Sequence, residues 1–145
     1  MKTIVIISGY FNPVHIGHIK LIKAARKFGD YLIAVVNNDK QQILKKGKII
    51  MEENERLEIV KAIGDVDEVF LSVDEDETQC QTLEALAEKY KGHKIIFANG
   101  GDRNSEKAIP ETTTCEENNI EMIFGVGGDD KPNSSSNINQ RLGLE

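Results

Sequence analysis

Short unbroken apolar runs alternate along the chain with longer segments of helical period. Residues 3–7 (TIVII), 31–36 (YLIAVV), 66–73 (VDEVFLSV), 94–98 (KIIFA) and 120–124 (IEMIF) read as five strands. The second run shows no polar alternation, as expected of a strand buried on both faces of a parallel sheet. Helices are expected over 18–28, 52–63 and 78–90, with Gly29 as the C-cap of the first. A shorter helix is expected within 106–119, where Pro110 suits the first helical position. Residues 40–50 (KQQILKKGKII) are basic, with Gly47 in the middle, and read as a short helical piece followed by a mobile loop. A Gly/Asp/Ser-rich loop follows over 125–136, and a last short helix starts near Asn137.

This alternation over the whole length predicts an α/β fold: a Rossmann-like, doubly wound parallel sheet of about five strands with helices on both faces. Ligands of such sheets bind beyond the carboxyl ends of the strands, at a topological switch point. The polar segments 8–18, 37–48, 99–103 and 125–136 all follow strands. They are therefore expected to meet at one edge as a single composite site.

Composition acts mainly by exclusion. A length of 145 residues suits one domain, 1–145, with a substantial core. The formal net charge of −6 argues against bulk electrostatic binding of nucleic acid, while leaving room for a local basic pocket for a nucleotide. The longest apolar stretches are too short to span a bilayer, and Met1 leads straight into a strand, leaving no room for a signal peptide. A cytoplasmic protein with no membrane partner is expected. Cys80 and Cys115 form no CxxC and read as ordinary intracellular thiols, with a disulfide between them the minor alternative.

The most informative stretch is 4–21, IVIISGYFNPVHIGHIKL. A buried strand breaks at Ser8-Gly9, where small residues allow a turn and close approach of a ligand. His15 and His18 then stand at the start of a helix, where backbone dipoles favour anions. The chain has no GxGxxG, no GxxxxGK[ST] and no GxSxG, so the dinucleotide, P-loop and hydrolase-elbow fingerprints are absent. The only other histidine, His93, is remote in sequence and no cysteine lies near the pair, which argues against a zinc site; no protein metal ligands are expected.

Gly9-Tyr10-Phe11-Asn12-Pro13 with His15-Ile16-Gly17-His18 resembles the signature of the HxGH nucleotidyltransferases, the cytidylyltransferase-like superfamily. Asn37-Asn38-Asp39, Lys46-Gly47, Arg56, Gly100-Gly101-Asp102 and Ser134-Ser135-Ser136 fall where such proteins carry similar segments. The resemblance covers nearly the whole chain. It is nearest the heptose-1-phosphate adenylyltransferase and glycerol-3-phosphate cytidylyltransferase branch. It implies transfer of a nucleotidyl group from ATP or CTP, with AMP favoured, to a phosphorylated sugar or polyol, with release of pyrophosphate.

The resemblance also implies the roles. His15, His18 and Lys46 would be catalytic. Gly9, Tyr10, Phe11, Gly17, Arg56, Gly100, Asp102, Arg103, Ser134, Ser135 and Ser136 would bind the nucleotide. Mg²⁺ would accompany the NTP and keep most of its waters. A homodimer is implied. Lys45, Lys46 and Lys48 each read individually as solvated lysines; the loop context singles out Lys46, with Lys48 the alternative. Asn12 stands where many members carry Asp. A glycerol-3-phosphate-type cytidylyltransferase and a non-catalytic nucleotide-binding module are the competing readings.

Overall fold

The computed structural model describes residues 1–100 and 110–127. The elements run β1 (Thr3–Gly9), α1 (Ile16–Arg26), β2 (Tyr31–Val36), α2 (Asp39–Lys46), α3 (Glu53–Lys61), β3 (Glu68–Leu71), α4 (Cys80–Lys89), β4 (Lys94–Gly100), α5 (Glu111–Glu117) and β5 (Ile120–Val126). All five strands are parallel, in the order β3-β2-β1-β4-β5. This is a Rossmann-like α/β fold, as the apolar pattern predicts.

The central strand explains the unbroken apolar runs. Ile4, Val5, Ile6 and Ile7 are all buried, because alternate side chains enter opposite layers. Val5 and Ile7 pack with Ile22, Ala25 and Val60, from α1 and α3. Ile4 and Ile6 pack with Leu83, Leu86 and Cys115, from α4 and α5. A sheet covered on both faces therefore leaves its two ends for chemistry. Its carboxyl edge carries the segments that follow each strand.

Several boundaries differ from expectation for local reasons. α1 begins at Ile16, because His15 and His18 cap it. The helix closes at Lys27 in right-handed geometry, so Gly29 is not its left-handed cap. Gly29 instead permits close approach: a Cβ there would lie 2.6 Å from the Thr3 carbonyl oxygen and 2.7 Å from Val5 Cγ2. Pro110 occupies the cap position, one residue before the first helical one. β3 keeps only four residues, as an edge strand paired from Ile33–Glu68 to Val36–Leu71. β4 runs on to Gly100, and its ladder to β5 shifts register between Ala98 and Gly100, where Gly125 takes φ +69°.

Candidate active site

β1 delivers the histidine loop. Gly9 ends the strand, and a Cβ there would lie 3.1 Å from the Phe11 ring. Phe11 is fully buried with φ +53°, an uncommon conformation for a residue with a side chain. Its ring supports His18 at a centroid separation of 4.6 Å. The aromatic ring thus acts as a floor, and the loop backbone is bent around it.

His15 is the N-cap of α1 and His18 its third residue. Gly17 N–H donates to His15 Nδ1 at 3.0 Å, and His15 N–H donates to His18 Nδ1 at 3.1 Å. This is a capping box built from imidazoles rather than from Ser and Glu. A nitrogen that accepts an N–H bond carries no proton, so the hydrogen bonds assign the neutral Nε2–H tautomer to both rings. The rings lie 4.0 Å apart. The structure therefore brings together two oriented Nε2–H donors at a helix N-terminus, a geometry suited to phosphate oxygens.

α2 brings the basic residues. Asn38 caps it by accepting from Gln41 N–H, and Gly47 closes it at φ +72°. Lys46 stands in the last helical turn, half-buried, rather than on a loop, while Lys48 lies beyond the cap and is exposed. Lys45 reaches the histidine loop, with Nζ 4.5 Å from the Tyr10 ring centroid. Sequence reasoning set Lys45 aside because lysines give no periodic signal; a helical phase for 39–46 would have paired it with the loop.

Two further residues tie these segments together. Asn12 is buried, and its Oδ1 accepts the N–H groups of Ile50 (3.1 Å) and Met51 (2.8 Å). It thereby fastens the segment after α2 onto the histidine loop. Arg56 is completely buried. Its guanidinium donates to the carbonyls of Met51 (2.9 Å), Tyr10 (2.7 Å) and Asn37 (2.6 Å) and to Asp39 Oδ1 (2.8 Å). These bonds join β1, β2, α2 and α3 through one planar fork. Arg56 thus sits behind the loops, bonded to the protein itself.

Gln41 is equally built in. Its Nε2 donates to the carbonyls of Asp76 (2.8 Å) and Thr78 (3.0 Å), and its Oε1 accepts from Asn37 Nδ2 (3.1 Å) and Asn38 N–H (3.0 Å). Asn38 Nδ2 adds bonds to the Ser72 and Asp74 carbonyls. Asp74 is buried and caps α4 through the N–H groups of Gln81 and Thr82, both at 2.9 Å. Gly100 ends β4, beside the same edge. Asp102, Arg103, Ser134, Ser135 and Ser136 lie outside the described residues.

The thiols are poorly suited to nucleophilic work. Both are free, and burial, with Glu111 and Cys80 nearby, pushes the Cys115 thiol up to about 12. Among the described residues, no three His, Cys, Asp or Glu side chains are grouped to hold a metal ion. No described helix is long and apolar enough to cross a membrane.

The pattern of the Cytidylyltransferase-like family matches residues 6–141, nearly the whole chain and all of the geometry above. This chain belongs to that family. It is a nucleotidyltransferase-family protein with a histidine pair at its first strand–helix junction. Among its relatives is the FAD synthase of Thermococcus sibiricus, 33% identical over 84% of this chain and 79% of that protein. The FAD synthase of Ferroglobus placidus is 39% identical over 50% of this chain, which spans 47% of that protein. The bifunctional protein HldE of Geotalea uraniireducens is 28% identical over 97% of this chain, which spans only 27% of its length.

Among solved structures, the lipopolysaccharide core biosynthesis protein of Thermoplasma volcanium superposes with a TM-score of 0.67. That pair is 25% identical over 86% of this chain and 96% of the other. A bifunctional NMN adenylyltransferase/ADP ribose pyrophosphatase from Francisella tularensis, solved with AMP and a Mn ion, shares the fold. Its TM-score is 0.66 at 16% identity, covering 98% of this chain and 42% of that one.

Proposed function

We propose that this nucleotidyltransferase transfers an adenylyl group from ATP to a phosphorylated sugar or polyol and releases pyrophosphate. The observation that carries the reading is the capped histidine pair, whose Nδ1 atoms accept backbone N–H groups, which makes Nε2 the protonated nitrogen of each ring. In the proposed step an oxygen of the acceptor phosphate attacks the α-phosphorus in line. The new P–O bond forms as the bond from the α-phosphorus to the α–β bridging oxygen breaks. Pyrophosphate leaves with that electron pair.

Such a reaction depends on positioning and charge stabilisation rather than on a covalent nucleophile. His15 and His18 donate to the triphosphate as charge grows on it. Gly17 and the backbone over Gly9, Tyr10 and Phe11 leave room for phosphate oxygens. Lys46 neutralises the phosphates from the end of α2, with Lys45 beside it. The family resemblance assigns Gly100, Asp102 and Arg103 to the nucleotide and Ser134, Ser135 and Ser136 to its β- and γ-phosphates. Arg56 acts through the loops it binds. Mg²⁺ enters with the NTP as part of the substrate, held by phosphate oxygens and water, which fits a site made of donors rather than carboxylates.

ATP is favoured by the relatives' names, since FAD contains an AMP half. FAD is also chemically an AMP joined to a phosphorylated polyol chain, the ribityl phosphate of the flavin. The acceptor panel therefore includes that class beside sugar phosphates and glycerol 3-phosphate. Pyrophosphate release is measured with ATP and CTP separately against the panel. Release with ATP and one acceptor is the expected result; no release from any pair, despite nucleotide binding, would leave a binding module instead.

A further inference from the structure

α2 carries two adjacent buried glutamines, and one of them has a side-chain oxygen without a partner among the described residues. Gln41 fills all four, as described above. Gln42 is 2% exposed, and its Oε1 is buried with no hydrogen-bond partner among the described residues. A buried amide oxygen without a donor is costly and uncommon. Its position says what it faces. Gln42 lies three residues after Asp39 and three before Lys45, so the three share one face of the helix. Asp39 bonds to Arg56, which also holds the Tyr10 carbonyl, and Lys45 lies over the Tyr10 ring. Gln42 is thus on the face turned to the histidine loop, one helical turn before Lys46.

The sheet order assigns the ligand. β1 pairs with β2 on one side and β4 on the other, so the chain reverses its direction of growth at β1. The nucleotide crevice of such a sheet opens at that reversal, between β1 and β4. α2 follows β2 and flanks the opposite side of the histidine loop, the side left for the incoming phosphate. Lys45 is an exposed cation that lies over the Tyr10 ring, and a phosphate dianion competes for it. Engagement of that dianion by Lys45 would uncover the face on which Gln42 lies.

We propose that Gln42 is a specificity-determining residue for the acceptor: its Oε1 accepts a hydrogen bond from a hydroxyl of the phosphorylated sugar or polyol. This rests on the nucleotidyl-transfer reading above. A site built around a hydrogen-bonding group rejects the analogue that lacks it. The orphaned oxygen is then the cost, in the free protein, of recognising that hydroxyl.

The test compares wild type with Gln42→Leu. With ATP and the acceptor that wild type uses, KM for the acceptor rises roughly tenfold or more in the variant, while KM for ATP stays within about twofold. The variant also loses discrimination between the acceptor and its deoxy analogue. Its thermal midpoint holds or rises, because an apolar isostere removes an unpaired amide. An unchanged acceptor KM overturns the proposal. So does a lower midpoint with both KM values rising together, which marks a merely structural glutamine. If wild type releases no pyrophosphate with any pair, nucleotidyl transfer itself fails. The same sugar and polyol phosphates are then titrated calorimetrically into both proteins. Binding that wild type shows and the variant lacks sustains the role of Gln42; equal binding, or none, overturns it.

Discussion

At the scale of single residues, His15 has two separable duties. Its Nδ1 caps α1 by accepting Gly17 N–H, and in the proposed reaction its Nε2–H donates to phosphate. Asparagine is a strong N-cap residue but lacks the second, outward N–H at that reach. His15→Asn is therefore expected to unfold near the wild-type midpoint while turnover falls by roughly two or more orders of magnitude. His15→Ala loses both duties, with an added stability cost of about 1 kcal/mol. Thermal unfolding set beside pyrophosphate release checks this, and wild-type turnover in His15→Asn would remove the histidine from the chemistry. The histidine pair was legible in sequence because its spacing and its place after a strand are themselves the signal. Asn12, Gln41 and Gln42 were not. A buried amide has the hydropathy of a surface residue, and only its distant partners, 35 to 39 positions away in the case of Asn12 and Gln41, reveal the burial.

Elements depend on Arg56 for their mutual placement. The family resemblance implies nucleotide binding for it, and the structure has its fork spanning three carbonyls and Asp39, with no exposure. Lysine keeps the charge but offers a point donor in place of a fork, so carbonyls from the loops after β1 and β2 are left short of donors. Arg56→Lys is expected to lower stability by about 2–3 kcal/mol. Denaturant unfolding measures that, and a loss under about 0.5 kcal/mol would mean the fork is replaceable. The helix α2 that Arg56 holds was only half legible. Its basic sequence and its internal glycine suggested a loop for Lys46, whereas Asn38 and Gly47 cap both ends and make the lysine helical. β1, β2 and β4 were plain by contrast, because burial on both faces leaves an unbroken apolar run. The exception in length is β3, whose edge position leaves its residues half-buried and its ends undefined by packing.

For the molecule as a whole, the parallel sheet separates chemistry from a stabilising cluster at its other end. Glu68, at the start of β3, accepts from Tyr31 at 2.8 Å, from Lys89 at 2.9 Å and from the Tyr90 hydroxyl. Burial raises the Glu68 carboxyl, but hydrogen bonds from Tyr90, Lys89 and Tyr31 outweigh it and hold the group below its ordinary 4.5. Burial, reinforced by Glu68, lifts the Tyr31 and Tyr90 phenols above their ordinary 10.0. A carboxyl depressed on folding contributes stability that is present above its unfolded value and is lost as pH falls through the folded one. A phenol raised on folding contributes stability that is present below its unfolded value and is lost as pH rises toward the folded one. The cluster therefore favours the fold most between about pH 5 and 9, with limbs falling on both sides. Glu68→Gln is expected to flatten the acid limb below pH 4.5, as read by the unfolding midpoint across pH. Turnover at neutral pH should be unchanged, because Glu68 begins β3 at the amino edge, whereas the histidine loop follows the carboxyl end of β1. An acid limb as steep in the variant as in wild type would assign the pH dependence to other carboxyls. A fall in turnover would show that the two edges of the sheet are coupled rather than independent.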